Sequence, residues 1–385
     1  MPDLSHIRVL ITGGGIGGLT LASFFRRFGF SYELIEKTAE WKPIGAGLTL
    51  TPNALRVFDR IGLVEALLEK GNELYTGDVL DERGNTLTHI DYRFLKEKYG
   101  FPTLGIHRTA LHEVLVAAMG PAQVRTGITI DRLENGPKGA TATFSDGSAG
   151  TYDLVVGADG IYSQLRAHCN GAIAPRYAGY AGWSFVVPNE AGFPGRHVVN
   201  QLGKGRRFGV IPIGREQLYC WASTHAPRQD PALRALDYQG VQALMAGMGG
   251  HLHAILQSLR PDTPLYLGDA EDVHVAQWYR QSVVLLGDAA HAITPNLGMG
   301  ASMAVEDAWV LTQCLHRANS IPDALLAYEM RRKPRVEHVS RLSYLAGAVG
   351  QWRSPAAGMF RDRSLGLLPA ALHAHNLEDL MMREI

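Results

Sequence analysis

Residues Ile7 to Lys37 read IRVLITGGGIGGLTLASFFRRFGFSYELIEK. An apolar run, Ile7 to Ile11, leads into Gly13-Gly14-Gly15-Ile16-Gly17-Gly18. Apolar residues then recur at helical spacing (Leu19, Leu21, Ala22, Phe25, Phe28), and a second apolar run, Tyr32 to Ile35, ends on Glu36. Strand, Gly13-x-Gly15-x-x-Gly18, helix, strand and acid stand in the order of a dinucleotide-binding βαβ unit. Gly13 permits the tight turn, Gly15 lets the backbone approach a pyrophosphate, and Gly18 lets the helix pack on the strand. The helix N-terminus, opened by Ile16 and Gly17, offers N–H groups and the positive end of a dipole to phosphates. Glu36, with Lys37 beside it, is placed to accept hydrogen bonds from a ribose.

Working outward, 385 residues are enough for two or three domains, or for one large core with an inserted layer. A hydrophobic share of 46% and a charged share of 19% fit a globular protein. The 37 basic and 37 acidic residues cancel, and no basic block points to nucleic acid or anionic lipid. No apolar run approaches the ~20 residues of a membrane span. The first strand begins at Ile7, so no signal peptide is expected. Cys169, Cys220 and Cys314 are far apart, as in a reduced, cytoplasmic protein. The histidines are scattered without an HExxH or a His/Cys cluster, so no metal site is expected.

Two further glycine motifs follow short apolar strands. Gly157-Ala158-Asp159-Gly160 follows Asp153 to Val156, and Gly287-Asp288-Ala289-Ala290-His291 follows Ser282 to Leu286. Strand C-termini are where open α/β sheets bind ligands, so the three motifs are expected to converge on one crevice. Residues 125–150 alternate polar and apolar around a turn at Asp146-Gly147, as a β-meander does. From about 172 to 280 strand formers dominate, which predicts an antiparallel sheet with helix at 237–259. Beyond about 300 the pattern is helical, with Pro334, Pro355 and Pro369 as expected breaks. Only one GxGxxG has a βαβ context, so a nicotinamide would have no Rossmann unit of its own.

Three motifs in this order resemble the class A, single-component flavoprotein aromatic hydroxylases, the relatives of p-hydroxybenzoate hydroxylase. They are the fingerprint at 13–18, GADGIYSQLR at 157–166 and GDAAHAITPNLGMGASMAVEDA at 287–308. The likeness runs from about residue 7 to about 340. It is greatest to the compact branch with salicylate, 3-hydroxybenzoate, 6-hydroxynicotinate and urate hydroxylases. It implies an α/β fold of mixed α+β character: a Rossmann-like FAD-binding domain of glutathione-reductase type, an inserted antiparallel substrate sheet and C-terminal helices. The corresponding division is 1–75, 100–171 and 272–325 for FAD, 76–99 and 172–271 for substrate, and 326–385 for the helices.

The resemblance also implies roles. Glu36 and Lys37 lie at the adenosine end, Val124 meets the adenine through its backbone, and Gly47 and Arg108 lie near the FAD. Asp159 serves FAD and NAD(P)H, or simply forms an Asp-Gly turn. Asp288 bonds a ribityl hydroxyl, and Pro295 lies beside the flavin ring. Gly298, Gly300 and Ala301 let a helix start touch the ring, where its N-terminus stabilises negative charge. His291 is expected to be structural, and the cations of Tyr328 to Arg335 to cap a helix end.

The implied activity is hydroxylation of a small aromatic or heteroaromatic substrate by non-covalent FAD, NADH or NADPH, and O2, through a C4a-hydroperoxyflavin. On the substrate side, Arg207 and Tyr219 match positions that meet the ring in the urate branch. Arg207 would pair with an anionic ring or donate to a carbonyl; the plainer reading is a salt bridge to an acid such as Glu216 or Asp272, or simple exposure at the sheet edge. A ring epoxidase or a natural-product-tailoring oxygenase is the second enzyme reading. A nucleotide-fold binding protein without redox turnover, like the Rab GDP-dissociation inhibitors, is the non-enzyme reading. The expected assembly is a monomer or homodimer, with no integral membrane association.

Overall fold

The computed structural model describes residues 4–41, 45–120, 123–214, 216–249, 252–367 and 369–382. Strand Arg8–Thr12 buries four residues in succession, so both of its faces are covered, as in a parallel sheet flanked by helices. It pairs in parallel with Ser31–Glu36 on one side and Leu154–Gly157 on the other, and the latter pairs in parallel with Val283–Leu285. Gln123–Thr126 and Tyr279–Arg280 complete this six-stranded sheet at its two edges. The three glycine motifs therefore leave the same ends of three neighbouring strands. Helix Ile16–Phe28 covers the sheet, its Gly29 (φ 77°) closing the C-terminus in the left-handed conformation that glycine adopts without strain.

The alternation at 125–150 becomes a three-stranded antiparallel sheet of Ile130–Gly136, Gly139–Phe144 and Ala149–Tyr152. The largest sheet has seven strands, ordered Tyr266–Asp272, Arg176–Pro188, Gln217–His225, Arg206–Ile213, His197–Leu202, Thr76–Leu80 and Thr86–Asp91. Alternation divides its residues between two faces. Trp183, Phe185, Phe208, Val210 and Cys220 pack under Val241, Leu252 and Ile255 from the helices at 238–257. The register places Ser184, Tyr219, Trp221, Ser223, Arg207, Gly209 and Ile211 on the opposite face. There they meet a three-stranded sheet of Gly47–Leu50, Thr103–His107 and Asn72–Leu74.

Helix Gly300–Arg317 is buried along most of its length against Ile16–Phe28 and Ile321–Gly350. The last of these corrects the expected break, because it runs through Pro334. Proline removes the hydrogen bond to the carbonyl four residues earlier, that of Met330. Met330 and Pro334 are both exposed, so solvent can take up the freed carbonyl. The cations of 331–335 thus lie mid-helix and do not cap an end. Helices Pro355–Gly366 and Ala370–Met382 follow.

Candidate active site

At the N-terminal fingerprint the glycines divide their work. A Cβ on Gly13 (φ 101°) would lie 2.4 Å from the Ala158 carbonyl oxygen, and one on Gly18 would lie 2.0 Å from that of Gly13. Both glycines exist for chain packing. Gly15 has no atom within 4 Å of the same position, which leaves open space in front of the helix N-terminus. Glu36 Oε2 accepts from Gly14 N at 2.7 Å, and Oε1 accepts from Thr38 N at 2.9 Å and Thr38 Oγ1 at 3.0 Å. The carboxylate is oriented, with lone pairs to spare. Val124 pairs with Leu34 on the strand that ends at Glu36. Lys37 is exposed at the edge of this arrangement. Trp41 and His112 escaped the sequence reading. The Trp41 ring packs on Gly14, and His112 Nε2 donates to the Gly14 carbonyl at 3.1 Å. Neither lies in a motif.

Arg108 opens helix Arg108–Met119, its N–H donating to Ala46 O at 3.2 Å and its side chain lying along Gly45. Asp159 has the contacts of its plainer, turn-forming reading. Oδ2 accepts from Gln164 N at 2.8 Å and Leu165 N at 3.2 Å, which builds the turn, while buried Oδ1 has no partner. Asp288 is exposed at the start of the short helix Asp288–His291. The buried Arg166 staples these two loops, donating to Ile161 O at 2.7 Å, Ala289 O at 2.8 Å and Asp288 O at 3.2 Å.

Behind the third motif lies a buried ionic network. Asp307 Oδ2 accepts from Gly287 N at 3.0 Å and from His291 Nε2 at 2.5 Å, and Oδ1 accepts from Arg332 Nε at 2.7 Å. Glu306 accepts two bonds from Arg335, each at 2.8 Å, one from Asn53 Nδ2 at 2.6 Å, and one from Arg332. Burial opposes ionisation of Asp307, but His291 and Arg332 outweigh it and hold the carboxyl at about 2. His291 is structural, as expected. Arg332 and Arg335 answer carboxylates rather than a helix dipole.

On the substrate side, Pro295 begins a short turn that ends at Gly298 (φ 64°), opposite Thr49, and helix Gly300–Arg317 follows with Gly300 and Ala301 in its first turn. No atom lies within 4 Å of a Cβ built on Gly300. Asn296 Oδ1 accepts from Arg207 Nη1 and, at 3.0 Å, from Tyr180 OH, while Nδ2 donates to Thr294 Oγ1 at 3.1 Å and Ser343 O at 2.9 Å. Arg207 and Pro295 are thereby neighbours through Asn296.

Among the described residues no carboxylate lies within salt-bridge distance of Arg207. Asp272 is taken by Arg176, at 2.9 and 2.5 Å, so the plainer reading of Arg207 is corrected. Burial lowers the Arg207 pKa. Tyr219 packs beside Trp221, with ring centroids 5.8 Å apart and planes tilted by 42°, and abuts Gly47, where a Cβ would lie 2.6 Å from its own. Trp221 lies across Gly209. Trp183 and Phe185, of the same composition, are core under the helices on the far face.

These residues fit FAD. The open glycine floor and Glu36 suit an ADP half, the unpartnered Asp159 Oδ1 and exposed Asp288 suit hydroxyls between, and open space at Gly300 suits a flat ring. Among the described residues no group of three or more His, Cys, Asp or Glu side chains could hold a metal ion. Among the described residues no helix is long and apolar enough to cross a membrane.

The family model described as FAD binding domain matches residues 6–343. An aurachin C monooxygenase/isomerase of Stigmatella aurantiaca is 34% identical over 94% of both chains. A 2-heptyl-3-hydroxy-4(1H)-quinolone synthase of Pseudomonas aeruginosa is 33% identical, also over 94% of both. The structure of Klebsiella pneumoniae HpxO complexed with FAD and uric acid superposes with a TM-score of 0.90 at 26% identity, covering 98% of this chain and 97% of that one.

Proposed function

The chain belongs to the FAD binding domain family and is an FAD-dependent monooxygenase, and we propose that it hydroxylates a small, oxo-bearing nitrogen heteroaromatic ring using NADH or NADPH and O2. Bound FAD supplies the redox chemistry, accepting reducing equivalents and activating oxygen. In this reading segments 1–75, 100–171 and 272–325 hold FAD, and 76–99 with 172–271 hold the substrate. Gly15, Ile16 and Gly17 carry the phosphates on a turn that Gly13 and Gly18 shape by close packing, and Glu36 takes the ribose. Asp159 and Asp288 receive hydroxyls, Arg108 and Gly47 flank the ring system, and Pro295, Gly298, Gly300 and Ala301 border its plane. Lys37, being exposed, contributes only charge near the adenosine end. The three buried free thiols agree with a reducing, cytoplasmic setting.

The observation that carries the substrate reading is Arg207. A buried guanidinium with only neutral acceptors is costly unless a ligand completes it. Arg207 donates to a ring oxygen, orients the ring and favours negative charge on that oxygen. Tyr219 and Trp221 supply a flat apolar wall, and the closely packed sheet face excludes water. The quinolone synthase and the urate-bound structure support an oxo-bearing nitrogen ring as the class. Arg207→Ala should keep FAD but lose substrate-stimulated NAD(P)H oxidation in a screen of quinolones, hydroxypyridines, purines and aromatic acids. Wild-type affinity and coupling in that variant would make Arg207 structural and overturn the reading.

A further inference from the structure

Two buried polar atoms at one end of the same sheet face lack partners, and they are complementary. Arg207 Nε is a donor and Gln351 Oε1 an acceptor. Arg207 is 5% exposed and Gln351 7%, so bulk water does not serve them. They belong to one cluster. Arg207 and Ser223 are opposed on neighbouring strands, and Gln351 Nε2 donates to Ser223 Oγ at 2.9 Å. Gly350, just before Gln351, lies against Arg207. A Cβ there would be 2.9 Å from Arg207 Cδ and 3.2 Å from Nε, so only glycine lets the helix end come this close. The Gly205 N–H, donating to Trp352 O at 2.9 Å, fixes the turn that follows. The last turn of helix Ile321–Gly350 thus brings an amide from the C-terminal region to the substrate face.

We propose that Gln351 is a specificity-determining residue, and that Arg207 and Gln351 together recognise a lactam edge. The ring carbonyl accepts from Arg207, and the adjacent ring N–H donates to Gln351 Oε1. This rests on the reading of the sheet face as the substrate surface. Buried polar atoms are nearly always paired, and the two orphans here ask for one acceptor and one donor side by side. A carboxylate would satisfy Arg207 and leave Gln351 without a donor. A hydrocarbon ring would satisfy neither. The Ser223 hydroxyl can donate or accept, so it tolerates either orientation of the Gln351 amide. With Nε2 donating to Ser223 Oγ, Oε1 is the free acceptor.

The test uses FAD-loaded enzyme and two probes, 2(1H)-quinolone and coumarin, which differ by a ring N–H against a ring oxygen. Binding is read from the perturbed flavin absorbance, and KM and kcat from stimulated NAD(P)H oxidation. Wild type should bind the quinolone about ten-fold or more tighter than coumarin, since a site built to pair an N–H rejects the analogue lacking it. Gln351→Leu should erase that preference by weakening the quinolone alone, in KM rather than kcat, with FAD content unchanged. If Gln351→Leu fails to retain FAD, Gln351→Met carries the same comparison. Equal preference in wild type and variant, or none in wild type, overturns the lactam assignment while leaving the substrate face intact. If neither probe nor any other ring compound perturbs the flavin or stimulates oxidation, the substrate-face reading fails with it.

Discussion

Asp288 is the residue whose proposed bond to the cofactor can be tested most simply. Its side chain is exposed at the start of a four-residue helix, and its backbone is stapled to the second motif by Arg166. Asp288→Ala should therefore leave the fold intact and weaken FAD binding by ~1–3 kcal/mol through loss of one hydrogen bond. Titration of apoprotein with FAD checks this; an unchanged dissociation constant removes Asp288 from the cofactor site. Gly18 is the opposite case. A methyl there would meet the Gly13 carbonyl oxygen at 2.0 Å, and backbone cannot swing aside as a side chain can. Gly18→Ala should lower the melting temperature of the apoprotein as well as FAD affinity, whereas an effect confined to the holoprotein would mean that the contact is with cofactor alone.

At the scale of elements, helix Ile321–Gly350 is tied to helix Gly300–Arg317 by a buried ionic network. Arg332 and Arg335 meet Glu306 and Asp307, and Asp307 also holds the Gly287 turn. Arg332→Met would remove the cation shared by Glu306 and Asp307, leaving Glu306 to Arg335 and Asp307 to His291, and should cost up to about 3 kcal/mol, measured by chemical denaturation. The network has a pH signature. Asp307 titrates at about 2 in the fold against 3.8 when free, so its contribution is complete above about pH 4 and is lost as the pH falls towards 2. Melting temperature should fall across that window in wild type and fall less steeply in Asp307→Asn, which starts from a lower value at neutral pH. Parallel curves would assign the acid sensitivity to other carboxylates.

For the whole molecule, the proposed cofactor site of the glycine floor, Asp159 and the helix start at Gly300 leads us to expect FAD held without a covalent link. Denaturation of purified protein should release all yellow colour, one FAD per chain. Restoring FAD at a hundred times its dissociation constant should add about 2.7 kcal/mol of stability. Colour that stays on the polypeptide would refute non-covalent binding. The nucleotide half of this enzyme was legible because it is local: one βαβ unit of consecutive residues places Gly13, Gly15, Gly18 and Glu36, and short-range backbone geometry alone requires those residue types. The three motifs and their strands were legible for the same reason. Pro334 misled because a proline signal is local while its outcome depends on which face of the helix meets solvent. Arg207 drew attention by sequence, but its partners Asn296 and Asn200 come from two other segments. Gln351, Trp41 and His112 lie in no motif, and only tertiary packing brings Gln351 to Ser223 and Trp41 and His112 to Gly14. Local sequence thus determined the cofactor and the class of chemistry, while the substrate end is built from residues far apart in the chain, whose meeting only tertiary packing decides.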